Sequence, residues 1–220
     1  MRVLGFDPSL TNFGWAIFDT DVPDGLAARC VDRGRFQTSS RTLFIDRYIE
    51  MRESVRELVE RLGVTHGITK LGLEYPVFKD LYSEGMYGLF LYVCEALRQT
   101  HVDIVFFSPG QIKAHAHAFL QRPKGWKMDK PDMVEAAKMD SGGRGRWNHN
   151  EADAYWVARV SARFWLLHTD AIQPAELTPL EKKQFTDVHT FSRGAKAGTS
   201  IEKGIMYRED ERFFLWSKEE

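Results

Sequence analysis

Two rhythms of apolar and polar positions run along this 220-residue chain. Val3, Leu4 and Phe6 form a short apolar strand that ends on Asp7, and after Pro8 and a polar turn a second apolar run spans positions 14–18. The pair reads as a β-hairpin with one carboxylate at the tip of its first strand. Aspartate is a poor strand former, so Asp7 either starts a turn with Pro8 or is fixed there to hold a charged ligand on a rigid element. Positions 21–27 read as a Pro- and Gly-containing turn, and 30–36 as a third strand leading into a Ser/Thr-rich loop. The rhythm then changes. Ile45, Tyr48, Ile49, Val55, Leu58, Val59 and Leu62 recur at helical spacing, which predicts a helix over 44–62 stopped by Gly63. A short apolar strand at 71–73 ends on Glu74, repeating the pattern of Asp7.

Met86, Leu89, Phe90, Val93 and Leu97 mark another helix, whose small residues Gly85 and Gly88 permit close approach either to the core or to a second copy. A buried-type strand over 104–107 is followed by Ser108 as N-cap and Pro109 as first residue of a helix through Ile112 and Lys113. The last helix is predicted over 148–167, with Val157, Val160, Phe164 and Leu167 as its buried stripe and Asp153 on the same face. Beyond Thr169, Pro174, Pro179, Gly194, Gly198 and Gly204 break the chain into short stretches. The expected organisation is an α/β domain over 1–169, with a mixed sheet flanked by helices. Residues 170–220 are expected as a C-terminal extension, a hairpin or arm, that packs on the domain or projects from it.

Composition narrows the function classes. With 43% hydrophobic residues the chain has enough apolar side chains for one ordinary core. Strand-like sequence from Arg2 and the lack of any apolar run of membrane length predict a soluble cytoplasmic protein without a targeting segment. Cys30 and Cys94, each within an apolar run, are expected as small buried hydrophobes and offer no disulfide or zinc framework. The formal charge of -1 excludes a globally basic coat, so nucleic-acid binding requires a local patch. Such a patch exists between Lys113 and Arg146. Lys113, Arg122, Lys124, Lys127, Lys130, Lys138, Arg144 and Arg146 stand there against four acids, a local +4 with Trp126 and Trp147 interleaved.

Asp7, Glu74 and Asp153 each occupy a position where an apolar element would otherwise continue, and a carboxylate there is costly unless it is paired or bound to metal. Three hard oxygen donors without a His/Cys cluster suit Mg²⁺ or Mn²⁺, and two such ions activate a water and stabilise the leaving oxygen of a phosphodiester.

The motifs Gly5-Phe6-Asp7-Pro8-Ser9-Leu10, Leu73-Glu74, Ser108-Pro109 with Gln111-Ile112-Lys113, Lys130-Pro131-Asp132-Met133-Val134 and Glu151-Ala152-Asp153-Ala154 resemble, in order and spacing, those of the RuvC family of Holliday junction resolvases. The resemblance covers residues 1–167. It implies an RNase H-like fold, a two-metal endonuclease acting on four-way DNA, Asp7, Glu74 and Asp153 as metal ligands, and Lys113 and Lys130 as DNA contacts near the scissile phosphate. It further implies a homodimer that makes paired nicks, with no small-molecule cofactor and no membrane partner. The extension and the long 121–147 segment suggest a divergent, phage-encoded member acting in the host cytoplasm. The chain departs from the family pattern three residues before Asp153, where it has Asn150 in place of an acid or a histidine. Helix phase ranks Asn150 first as a fourth ligand, then His149, then Glu151, which is two residues before Asp153 and also completes a capping box with Asn148. Where the family places a base-wedging aromatic, this chain has Val77 beside Phe78, so Phe78 or Tyr75 takes that role or packs in the core. The DNA-facing set is then Lys113, Lys124, Lys127, Lys130, Arg144, Arg146 and Phe78.

Rival readings divide on chemistry. The hairpin at Asp7 also resembles the phosphate loop of actin-like ATPases and sugar kinases, which require a second such domain. An RNase H-type or rRNA-processing ribonuclease uses the same acids and is the stronger alternative. A junction-binding protein without catalysis has no need of the three carboxylates.

Overall fold

A computed structural model describes residues 1–22, 29–76, 83–142, 145–185, 188–190, 200–209 and 212–217, the last three segments by their backbone. Five strands form the central sheet: β1 (Arg2–Asp7), β2 (Asn12–Asp19), β3 (Cys30–Gln37), β4 (Lys70–Glu74) and β5 (Asp103–Phe107). Their order is β3-β2-β1-β4-β5, antiparallel from β3 to β1 and parallel from β1 through β4 to β5. Parallel neighbours need crossover connections. Helices α1 (Phe44–His66) and α2 (Ser83–Arg98) supply them on one face, while α3 (Pro109–Phe119), α4 (Lys130–Asp140) and α5 (His149–His168) lie on the other. This is the expected mixed sheet flanked by helices.

The period of two along a strand divides the core between the faces. Leu4, Phe6, Leu71, Leu73, Ile104 and Phe106 join the α1/α2 cluster, whereas Val3, Val105 and Phe107 join the cluster around α5. Helix α5 is buried on nearly every side, from Ala152 and Tyr155 to Phe164 and Trp165, so it is the central helix of the molecule. Described parts of the segment beyond Thr169 lie against the sheet and α5. After a short 3-10 turn (Pro174–Glu176), α6 (Pro179–Phe185) brings Leu177 and Phe185 into the α5 cluster. Strand β7 (Ser200–Glu209) pairs antiparallel with β5, and β6 (Val188–Thr190) and β8 (Arg212–Ser217) pair with β7.

Three expectations change, and an open alternative at Gly85 and Gly88 is resolved. Helix α1 does not stop at Gly63 but continues to Gly67, whose φ of 64° is the left-handed cap, because burial of Leu58, Val59 and Leu62 outweighs the roughly 1 kcal/mol penalty of a helical glycine. Ile45 and Ile49 lie outside the buried stripe of α1, which instead runs Arg47, Met51, Val55, Leu58, Val59 and Leu62. Gly85 and Gly88 face α1: a Cβ on Gly88 would fall 2.9 Å from the Tyr48 ring, so the small residues serve packing within the chain. Cys30 and Cys94 are half-buried, since both sit at the margin of their apolar clusters. The turn at 21–27 lies mostly outside the described residues. Among the described residues no helix is long and apolar enough to cross a membrane.

Candidate active site

Strand geometry aims the first two carboxylates. Asp7 shares the parity of Val3 and Gly5, and Glu74 that of Gly72, so both point to the α5 face at the carboxyl ends of adjacent parallel strands, one step beyond the paired residues Phe6 and Leu73. Helix α5 sits unusually low on these strands. A Cβ on Gly5 would lie 2.3 Å from the Ala154 carbonyl, one on Gly14 would lie 2.1 Å from that of Asn150, and one on Gly72 would meet the Ser161 hydroxyl. The absence of side chains at these three strand positions therefore lets the first turns of α5 reach the sheet and sets Asp153 beside Asp7 and Glu74.

The electrostatics register that convergence. Burial first, then the charges of Glu74 and Asp153, pushes Asp7 well above the usual carboxylate range. Burial and Asp153 raise Glu74 to about 8, and burial raises Asp153 to about 6 against the pull of Lys113 and Lys130. Both lysines also bear on Asp7, so α3 and the first residue of α4 bring their ammonium groups to the same place. Asp153 Oδ1 is buried without a hydrogen-bond partner. Among the described residues no three His, Cys, Asp or Glu side chains stand at ligating distance of one point. An orphaned carboxylate oxygen within an acid cluster of raised proton affinity is the donor chemistry that a hard divalent cation satisfies.

The neighbouring candidates divide. Asn150 is buried, but its amide nitrogen donates to the Asn12 carbonyl on β2. His149 meets Lys130 Nζ at 3.2 Å. Glu151 completes the capping box with Asn148 and pairs with Arg33 at 3.2 Å, which is the structural role its spacing predicts. Lys124 and Lys127 are exposed on the loop before α4, and Trp126 beside them is half-exposed with its indole N–H donated to Asp132. Trp147, by contrast, is buried. Tyr75 packs edge-on against Phe90 and Phe106, while Phe78 and Arg144 lie outside the described residues. The sequence reading missed Arg47, whose buried guanidinium donates to the Leu10 carbonyl at 2.9 Å and so pins the loop that follows Asp7. Its spacing four before Met51 and eight before Val55 was the available signal. Gly5 and Gly72, unusual inside strands, were a second.

No family model matches the chain. A search of curated proteins finds the crossover junction endodeoxyribonuclease RuvC of Synechocystis, 29% identical over 122 residues that cover 52% of this chain and 66% of the relative. The match therefore spans just under two thirds of that relative's length. Among solved structures, Thermus thermophilus RuvC superposes with a TM-score of 0.61 at 19% identity, covering 77% of this chain and 98% of the other. The fold is that of RuvC. The same Thermus protein in complex with Holliday junction substrate matches with a TM-score of 0.59 at 19% identity, over 77% of this chain and 97% of the other.

Proposed function

We propose that this RuvC-like chain is a divalent-metal-dependent endonuclease that resolves four-way DNA junctions by nicking two symmetric strands. The observation that carries the reading is that α5 comes down onto Gly5 and Gly72 and so brings Asp153 beside Asp7 and Glu74, close enough for their charges and burial to raise Asp7 and Glu74, with Lys113 and Lys130 in electrostatic reach. Asp7, Glu74 and Asp153 would hold Mg²⁺ or Mn²⁺, two ions per site, with the Asn150 amide oxygen as the fourth donor. Bound metal supplies a nucleophilic water at neutral pH and charge stabilisation at the phosphate. The chain's own part is to orient the strand. Lys113 and Lys130 neutralise the phosphate next to the acids, while Lys124, Lys127, Arg144 and Arg146 hold the flanking backbone by counterion release.

A second copy covers an apolar face in this reading. Leu43, Phe44, Ile45 and Ile49 at the start of α1 are exposed next to Tyr87 and Leu91 of α2, a larger apolar group than scattered surface residues explain. An isologous pair would present one site to each symmetric strand of a junction. Light scattering should report about twice 25.4 kDa, and a monomer would refute it.

The deciding experiment is cleavage of a synthetic four-way junction, a duplex and an RNA–DNA hybrid of equal sequence, with Mg²⁺ and with chelator. Metal-dependent paired nicks in the junction alone support the proposal. Preference for the hybrid would instead establish the ribonuclease alternative, which uses the same acids.

A further inference from the structure

Beside the carboxylates lies a cleft of about 730 Å³, walled by Arg35 on β3, Lys130 and Val134 on α4, and Arg146, Trp147 and His149 at the entry to α5. Its one acid, Glu151, is already neutralised from outside. Arg33 donates to Glu151 at 3.2 Å while its guanidinium lies 3.9 Å from the Trp147 ring centroid, so Arg33 is committed to holding the wall together. That leaves three positive side chains, Arg35, Lys130 and Arg146, facing solvent with no carboxylate partner among the described residues. Arg35 and Lys130 line the same cleft, where Lys130 Nζ lies 3.2 Å from His149 Nε2. His149 in its wall stands one helical turn before Asp153 on α5, which places the cleft beside the candidate cutting point. The Trp147 indole N–H adds a buried donor without an acceptor to the same wall.

We infer that this cleft seats the phosphodiester backbone of the strand flanking the cut, with Arg35 and Arg146 as its phosphate ligands. The inference rests on the nuclease reading and adds to it a positioning site to which the edge strand β3 contributes. An open, largely polar cleft that carries Arg35, Lys130 and Arg146 against one already paired acid fits a polyanion better than a small neutral ligand. Guanidinium groups suit it further, because their planar donors match two phosphate oxygens at once.

The test measures junction binding in Ca²⁺ or chelator across a salt series for wild type, Arg35→Ala, Arg146→Ala, Arg35→Lys and, as a remote control on α6, Lys183→Ala. Each alanine variant in the cleft should weaken binding several-fold and lower the slope of log K against log salt by about 1, with Lys183→Ala unchanged and Arg35→Lys restoring the slope. Single neutral methylphosphonates are then placed in turn through the nucleotides flanking the cut. One linkage should weaken wild type several-fold yet weaken Arg35→Ala no further. Slopes equal to wild type, or losses that add at every linkage, would overturn the cleft assignment. Failure of wild type to bind any branched DNA would instead overturn the nuclease reading on which it rests. Thermal melts of all variants exclude loss of fold as the cause.

Discussion

The two faces of the sheet are built from the same strands but meet their helices differently. Towards α1 and α2 the strands present Leu4, Phe6, Leu71 and Leu73, so side chains fill the gap and hold the helices off the backbone. Towards α5 the same strands present Gly5 and Gly72, and the helix comes down until Ala154 and Ser161 occupy the space where strand side chains would be. Side-chain packing tolerates small shifts because rotamers adjust; backbone contact does not. The first face therefore stabilises the domain, and the second fixes the position of Asp153 relative to Asp7 and Glu74.

The largest effect should come from removing the charges that the second face assembles. Asp7→Asn, Glu74→Gln and Asp153→Asn are each expected to reduce junction cleavage more than tenfold while leaving junction affinity nearly unchanged, as gel-shift and cleavage assays on the same substrate would show. Residual activity above a tenth of wild type in all three would sink the metal-site assignment.

A pair of methyl-scale changes tests the contrast between faces directly. Gly5→Ala forces a Cβ against backbone atoms of α5 and should cost about 1–3 kcal/mol of stability, together with at least a tenfold loss of cleavage by the protein that remains folded. Leu71→Ala, on the other face, should cost about 2–5 kcal/mol and leave the turnover of folded protein close to wild type. Urea titration paired with single-turnover rates separates the two, and equal catalytic losses would mean that the faces are not distinct in this way.

Proton linkage gives a smaller signal. Glu74, ordinarily near 4.5, is raised to about 8, so the folded chain holds a proton that the unfolded chain has already released between those values. Metal-free stability should accordingly fall as pH rises from 5 to 8, and Glu74→Gln should melt higher than wild type at pH 8, by about 2–4 °C per kcal/mol relieved. Mg²⁺ should raise the melting temperature of wild type but not of Glu74→Gln. A flat pH response in wild type would show that the acids are not mutually strained.

The smallest expected change concerns the fourth ligand. Asn150→Asp should lower, and Asn150→Ala raise, the Mg²⁺ concentration for half-maximal cleavage by a few-fold, since a carboxylate adds direct attraction to the ion. Both changes also remove the hydrogen bond that the Asn150 amide donates to the Asn12 carbonyl, so the melting temperature of each variant must be followed alongside. If His149→Ala shifts the metal requirement and Asn150→Ala does not, His149 is the ligand.

Much of this was legible before any coordinates. The strand-end carboxylates, the Ser108 and Asn148 caps and the capping role of Glu151 are local features: period, propensity and backbone hydrogen bonding act within a few residues and leave their mark on the sequence. The end of α1 was misplaced for the same kind of reason, because local propensity at Gly63 yielded to packing contributed by distant strands.

What the sequence by itself determined was the order of strands β1 to β5 and of helices α1, α2, α3 and α5, the three acids and the local excess of positive charge, since each depends only on residue type and spacing; helices α4 and α6 were not foreseen. Tertiary structure alone decided how close α5 lies to the sheet, that Gly85 and Gly88 pack against α1, that Arg33 neutralises Glu151, and that Arg35 from the edge strand joins Lys130 and Arg146 at one cleft. These are meetings of segments at least 37 residues apart in the sequence. They follow from the summed packing of the core, which no stretch of chain encodes alone.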